Sequence, residues 1–229
     1  MITVWGRATS GNVQMVMWAI AELKLEHKRL DVGGAFGGND TAEFKAMNPN
    51  GLVPVVRDGD GPFLWESAAI VRYLAASYGD AQFWPTSPIA RAQADMWAEW
   101  IKTSFAPVLL PNLFWPIIGV TPDKRDHAAI AAAAARMKPL ALMLDQRLSE
   151  GDYIGGKDLC FADIIVGTLL YFLLRELLVD YGSIYLIVLG LAGILVMIFS
   201  RGGIWGIVEQ RLGWSLLPTR RLRKERDAG

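Results

Sequence analysis

One cysteine, Cys160, and two histidines, His27 and His127, are all that this 229-residue chain offers as thiol or imidazole ligands. A single thiol excludes an intramolecular disulfide and a cysteine-based zinc cluster, and two histidines far apart in sequence do not by themselves make a metal centre. No metal is therefore expected. Net charge is lacking too, with 23 basic side chains against 23 acidic ones. No basic patch suited to nucleic acid occurs before the last ten residues, so nucleic acid is not an expected partner. The start, Met1-Ile2-Thr3-Val4-Trp5, has neither the basic region nor the small-residue cleavage site of a secretory signal. A cytoplasmic front half is the expectation.

What is abundant is apolar: 52% of the residues are hydrophobic and the mean hydropathy is +0.27. The excess is uneven. Residues 1–163 carry 15 basic and 18 acidic side chains, whereas residues 164–229 carry 8 and 5 and hold the longest apolar run. Such a shift marks a boundary.

The first eighty residues alternate strand and helix signals. Ile2 to Trp5 is a short β-rich run, and Val13, Val16, Met17, Ile20 and Leu23 recur at helical spacing. Lys28 to Val32 reads as a second strand, and Gly33 to Gly38 as a loop. A short helix is expected from Thr41 to Met47, then a strand from Leu52 to Val56, a turn at Asp58-Gly59-Asp60-Gly61, a partner strand to Trp65, and a helix from Ser67 to Tyr78. Residues 79–88 form a linker. Beyond it the pattern is helical: an amphipathic stretch from Ala90 to Phe105, a path broken or kinked at Pro107, Pro111 and Pro116, and an alanine-rich helix from Thr121-Pro122 to about Leu148. Another helix opens at Cys160, with Asp163 placed as in a capping box and Leu159 and Ile164 as its hydrophobic staple.

Three local features bear on chemistry. Ser10 ends a strand-to-helix loop, where a hydroxyl either caps the helix or donates to an anion or thiolate at its positive end. Val53-Pro54 sets a proline in a strand pattern, which fits a strand start or a cis bond that leaves a backbone edge free for a ligand. Glu66-Ser67 opens a helix, so Ser67 either caps it or helps hold a carboxylate.

Taken in order, Val4 to Leu23, the glycine-rich loop, Met47-Asn48-Pro49-Asn50-Gly51-Leu52-Val53-Pro54-Val55-Val56 and Leu64-Trp65-Glu66-Ser67-Ala68-Ala69-Ile70-Val71-Arg72-Tyr73-Leu74-Ala75 resemble the glutathione S-transferase family. The resemblance is to bacterial members with a serine-type active site and covers residues 1 to about 167. It implies a thioredoxin-like α/β domain over residues 1–78, a linker over 79–88 and a partial, truncated all-α helical domain over 89–167. It also implies glutathione as co-substrate, with no metal. By position, Ser10 matches the serine that hydrogen-bonds the glutathione sulfur, with Asn12 as the second candidate. Val53, ahead of the cis-proline Pro54, matches the residue whose backbone pairs with the cysteinyl part. Glu66 and Ser67 match the pair that holds the γ-glutamyl end. Asp95 either lies on a helix surface or reaches a partner subunit's site in a homodimer, and Trp115 and Phe105 either pack in the core or line the electrophile pocket. No cysteine occurs in residues 1–80, against the disulfide-exchange chemistry of cysteine-type relatives.

After about Gly167 that pattern stops. Tyr181 to Ser200 is free of charge and rich in Ile, Leu and Val. At about 1.5 Å per residue such a run spans a bilayer core. Residues 168–229 are therefore expected to form a membrane-type segment, with a C-terminal transmembrane-type helix over 181–200 and a basic end, Arg220-Arg221-Leu222-Arg223-Lys224, on an anionic cytoplasmic leaflet. Gly167-Thr168-Leu169-Leu170, Leu173 to Leu178, Leu186 to Gly190 and Arg201 to Gly206 resemble the end of branched-chain amino acid ABC transporter permeases, so the chain reads as a chimera joined near Gly167. The expected activity is attack of a glutathione thiolate on a small electrophile. The alternatives are an inactive glutathione-binding module and a membrane-permease fragment produced by fusion.

Overall fold

The computed structural model of the chain describes residues 1–178. Four short strands, β1 (Ile2–Trp5), β2 (His27–Leu30), β3 (Val55–Asp58) and β4 (Phe63–Trp65), form one sheet in the order β2-β1-β3-β4. β2 runs parallel to β1, pairing Ile2 with His27, while β3 is antiparallel to both β1 and β4. The parallel pair needs a crossover, and α1 (Gly11–Glu22) supplies it. The hairpin turns where Asp58 to Gly61 predict it, with Gly61 N–H donating to the Asp58 carbonyl. This is the thioredoxin-like arrangement expected from the motif order.

Alternation along the strands sets the core. Ile2, Val4 and Val56 point into an apolar cluster shared with α1 and α3 (Ser67–Tyr78), including Val13, Val16, Ile20, Ile70 and Leu74. Fully burying such a side chain is worth about 1.5–3 kcal/mol relative to exposure. The short α2 (Ala42–Met47) is capped by Thr41, whose Oγ1 accepts from Phe44 N–H at 3.2 Å.

The helical half departs from expectation in two places. The prolines at 107, 111 and 116 do not break the path: one helix, α4, runs continuously over Pro88–Ile118. It holds two π-helical turns, Ile101–Phe105 and Leu110–Phe114. A proline inside a regular helix loses a hydrogen bond and collides with the carbonyl four residues back. A π turn relaxes that collision, and Asn112 Nδ2 donates to the Pro107 and Val108 carbonyls at 3.1 Å each. The alanine-rich helix, α5 (His127–Glu150), starts later than Thr121-Pro122, which open only a 3-10 turn. Asp126 wins the cap because its carboxylate accepts from Ala129 N–H at 2.9 Å.

α6 (Phe161–Leu178) binds the two halves together. Asp163 sits in it as the capping box predicts, accepting from Cys160 N–H at 2.9 Å and also from Ile154 N–H at 2.6 Å. Cys160 is buried, and loss of solvent followed by the nearby Asp163 charge pushes its thiol up to about 12. The linker is anchored: Phe83 is buried, Trp84 packs on Phe161 with ring centroids 4.9 Å apart, and Arg91 lies 4.8 Å over Trp84. Arg72 of α3 pairs with Asp95 of α4 at 2.7 Å and with Glu99. Asp95, one of whose two readings faces a partner subunit, thus has an ion pair within its own chain.

The junction expected near Gly167 falls inside α6, which continues to Leu178. Gly167 itself faces Trp18 of α1: a Cβ there would lie 3.0 Å from two atoms of the indole. Among the described residues, α4 is the one helix with the length and composition to cross a membrane, and it packs on α6 with Ala94, Ala98 and Ile101 in the shared core. The membrane-type run 181–200 and the basic end at 220–224 lie outside the described residues.

Candidate functional site

β1 ends at Trp5, and the chain crosses Gly6 to Ser10 before α1 begins at Gly11. This loop is pinned at both ends. Arg7 N–H donates to the Val32 carbonyl at 3.0 Å, and Ser10 N–H to the Arg7 carbonyl at 3.2 Å. Ser10 is extended (φ −78°, ψ 125°), and its side chain makes no capping hydrogen bond to α1. Of the two roles open to Ser10, capping is therefore not the one its hydroxyl performs. Ser10 instead belongs to the wall of a cavity of about 430 Å³ between the two halves of the chain.

Asn12 lines the same cavity one residue into α1. Ser67, buried at the start of α3, donates from Oγ to Asn12 Oδ1 at 3.2 Å. That bond occupies the Asn12 carbonyl oxygen and leaves its amide N–H groups to point elsewhere. Glu66 precedes Ser67 with φ 69°, a backbone state unusual for a side chain other than glycine, and its carboxylate side is exposed. The Val53-Pro54 peptide is cis, and Val53 lies beside Gly6, where a Cβ would come 3.3 Å from Val53 Cβ.

The predicted residues are thus gathered unequally. Ser10 and Asn12 line the cavity, Ser67 is joined to it through Asn12, and Val53, Pro54 and Glu66 are not part of its wall. Trp115 lines it, about half exposed, while Phe105 does not. Phe105 is buried against Trp100, ring centroids 5.4 Å apart, and serves the core.

Sequence reasoning missed Arg7, and it missed Thr168, Leu169 and Phe172, which form the α6 side of the wall. Those three were assigned to the foreign tail. Their signal was present: Thr168 and Phe172 are four apart, one face of a helix. Phe172 packs 5.5 Å from Phe114, and a Cβ on Gly11 would come 3.4 Å from Phe172 Cδ2. The wall beyond Gly167 therefore abuts the very start of α1. Among the described residues, no group of three or more His, Cys, Asp or Glu side chains is placed to hold a metal ion.

Comparison with known proteins agrees with this geometry. Residues 9–77 match the family description "Glutathione S-transferase, N-terminal domain". The chain is 39% identical over 172 residues to glutathione S-transferase GstB of Escherichia coli strain K12, covering 75% of this chain and 82% of the relative. It is similar to the crystal structure of the theta class glutathione S-transferase from Xanthomonas axonopodis pv. citri with glutathione bound. That likeness has a TM-score of 0.66 and 43% identity, over 74% of this chain and 81% of that one. A glutathione S-transferase structure from Pseudomonas fluorescens gives a TM-score of 0.65 at 27% identity, over 76% and 85% of the two chains. With its sheet order, its Ser10 cavity and a relative matched across most of its length, this chain belongs to the glutathione S-transferase family.

Proposed function

We propose that the chain is a glutathione transferase in which Ser10 activates the glutathione sulfur and the cavity beside it receives a small electrophile. The observation that carries this reading is Ser10, its hydroxyl unused as a cap, in a cavity wall at the start of a twelve-residue helix. A free thiol titrates at about 8.5, and a hydroxyl donor at a helix N-terminus lowers that value, so more thiolate is present at neutral pH. The thiolate then attacks the electrophilic carbon, and the leaving group departs with the bonding pair. Asn12, held by Ser67, is the second donor toward the sulfur. The Val53 backbone pairs with the cysteinyl unit beside cis-Pro54, and Glu66 and Ser67 receive the γ-glutamyl end.

The same reading makes the enzyme a homodimer that works in the cytoplasm. It also includes the finer account of the tail: a membrane tether over 181–200, joined from a permease-like sequence. That account rests on the charge-free run and the basic end alone. Because Thr168, Leu169 and Phe172 line the cavity, any foreign segment would enter α6 without removing this wall.

Calorimetric titration of the intact chain with reduced glutathione, in mild detergent, tests the reading. Saturable binding is expected, weakened by Ser67→Ala, with Ser10→Ala lowering turnover more than affinity. No binding by helical, dispersed protein would favour an inactive fusion instead.

A further inference from the structure

Ser10 makes no capping bond to its helix, so the backbone around it decides where its hydroxyl lies. That backbone is held from two sides. From the β2 side, the Arg29 guanidinium donates to the Gly6 carbonyl at 2.8 Å and pairs with Asp31, whose carboxylate accepts from Ala8 N–H. From the α1 side the hold is Gln14. Its backbone N–H donates to the Ser10 carbonyl at 2.9 Å, and its side-chain Nε2 reaches back to the Ala8 carbonyl at 3.0 Å. Ala8 is thus fixed at both of its polar backbone groups, and Gln14 grips the chain on either side of Thr9.

The other end of the same amide is unfavourable. Gln14 Oε1 is buried and has no hydrogen-bond partner among the described residues. Turning the amide over would not relieve it, because the Ala8 carbonyl needs a donor and the oxygen has none. A buried acceptor left unpaired costs at least as much as one hydrogen bond gains, and the bond to Ala8 is an exposed one. Stability therefore gives no reason for glutamine here: a methionine of similar length would fill the space without the orphan oxygen. Gln14 is also not part of the cavity wall. What its amide does secure is the path of the loop. We propose that Gln14 is a positioning residue, its side-chain amide fixing the Ala8 carbonyl so that the Ser10 hydroxyl meets the glutathione sulfur at hydrogen-bond distance. This rests on the transferase reading above. A displacement of about 1 Å at a reacting group costs on the order of a hundredfold in rate, so a hold two residues away has ample leverage.

The test reads the bound thiol itself, by the ultraviolet absorbance of the thiolate as pH is raised. It uses the full chain in mild detergent, saturated with reduced glutathione, with S-methylglutathione as the blank. Arg7, the charged residue of the cavity wall, is common to every chain compared. In the wild type the thiol is expected to titrate below its free value of about 8.5. Gln14→Met should move that titration up by about one pH unit, an about tenfold loss of thiolate on its acid side. The calorimetric Kd for glutathione, taken on that acid side, should change by less than about threefold. The urea midpoint should stay at or above that of the wild type, since the orphan oxygen is gone. In a Ser10→Ala background the same substitution should shift the titration no further, because Gln14 acts through the hydroxyl. A titration unmoved by Gln14→Met overturns the proposal. So does an equal shift with and without the Ser10 hydroxyl, and so does a lowered urea midpoint, which would make Gln14 a residue of the fold alone. A wild-type thiol that titrates at its free value, or a chain that binds no glutathione, overturns instead the transferase reading beneath it.

Discussion

Ser67 Oγ lies 3.2 Å from Asn12 Oδ1, joining the first residue of α3 to the second residue of α1 across 55 positions of sequence. The two helix starts that carry the site are thus linked by a side-chain hydrogen bond, and a change at one is felt at the other. Ser67→Ala and Asn12→Ala are expected to be non-additive in glutathione affinity, with a coupling of about 1 kcal/mol in a double-mutant cycle. Additive losses measured by calorimetry would mean that the two residues act separately.

Glu66 holds φ at 69° while its carbonyl accepts from Ile70 N–H at 2.9 Å to start α3. A non-glycine residue in this state costs on the order of 1 kcal/mol. Glu66→Gly should therefore raise the urea midpoint by an equivalent of about 1 kcal/mol while weakening glutathione binding. A variant that is both less stable and weaker in binding would show that the carboxylate, not the backbone, dominates stability here.

Gly167 stands where α6 packs closely on α1, against Trp18. In an open helix, replacing glycine gains up to about 1 kcal/mol. Here a Cβ meets Trp18 Cη2 and Cζ3 at 3.0 Å, and a branched side chain goes further into the indole. Gly167→Val is expected to cost about 1–3 kcal/mol by urea denaturation, as overpacking does. It should also lower turnover, because Thr168 and Phe172 move with α6. A stabilised variant would contradict the packing described.

Asp58 accepts hydrogen bonds from the hydroxyls of Tyr78 and Tyr73, the latter at 2.7 Å. The Tyr78 bond first, opposed in part by burial and then aided by Tyr73, holds the carboxyl below its usual range, and the same bond pushes Tyr78 up to about 12. The signs differ. A lowered carboxyl stabilises the fold above the unfolded value near 3.9, and the benefit fades as pH falls through the folded value. A raised phenol stabilises it below about 10, and the benefit fades as pH rises toward 12. The double variant Tyr73→Phe/Tyr78→Phe should lose about 1 kcal/mol at pH 7, since Tyr78 is exposed. Its Tm deficit should shrink below pH 4. A deficit constant from pH 3 to 7 would exclude the Asp58 charge as its source.

Much of the sheet was legible because its signals are local. Alternation at Ile2 and Val4, the glycine turn at 58–61 and the apolar period of α1 each fix an element without reference to distant residues. Ser67 could be placed at a helix start to the residue. Its bond to Asn12 could not, since no local rule relates positions 55 apart. The path through Pro107, Pro111 and Pro116 misled for a definite reason: proline statistics describe regular helix, and π turns supply the room that α turns deny. Arg7 went unnoticed because its neighbours in space, Gly33 and Gly34, carry no side chain to announce a site. Thr168 and Phe172 were hidden by the composition around them, which resembles membrane sequence while their spacing serves a pocket.

The π turns carry one consequence for the aim of the cavity wall. Each inserts one residue beyond α-helical count, and one residue is about 100° of rotation. Leu110 and Trp115 both lie downstream of the turn at Ile101–Phe105 and both face the cavity. The direction in which they point is therefore set by arithmetic along the chain as much as by contact. Removing a single residue from that turn, with Pro107→Ala to let regular helix close, would swing both side chains off the cavity like a dial advanced by one notch, leaving the electrophile side of the pocket to be redrawn without altering any residue that lines it.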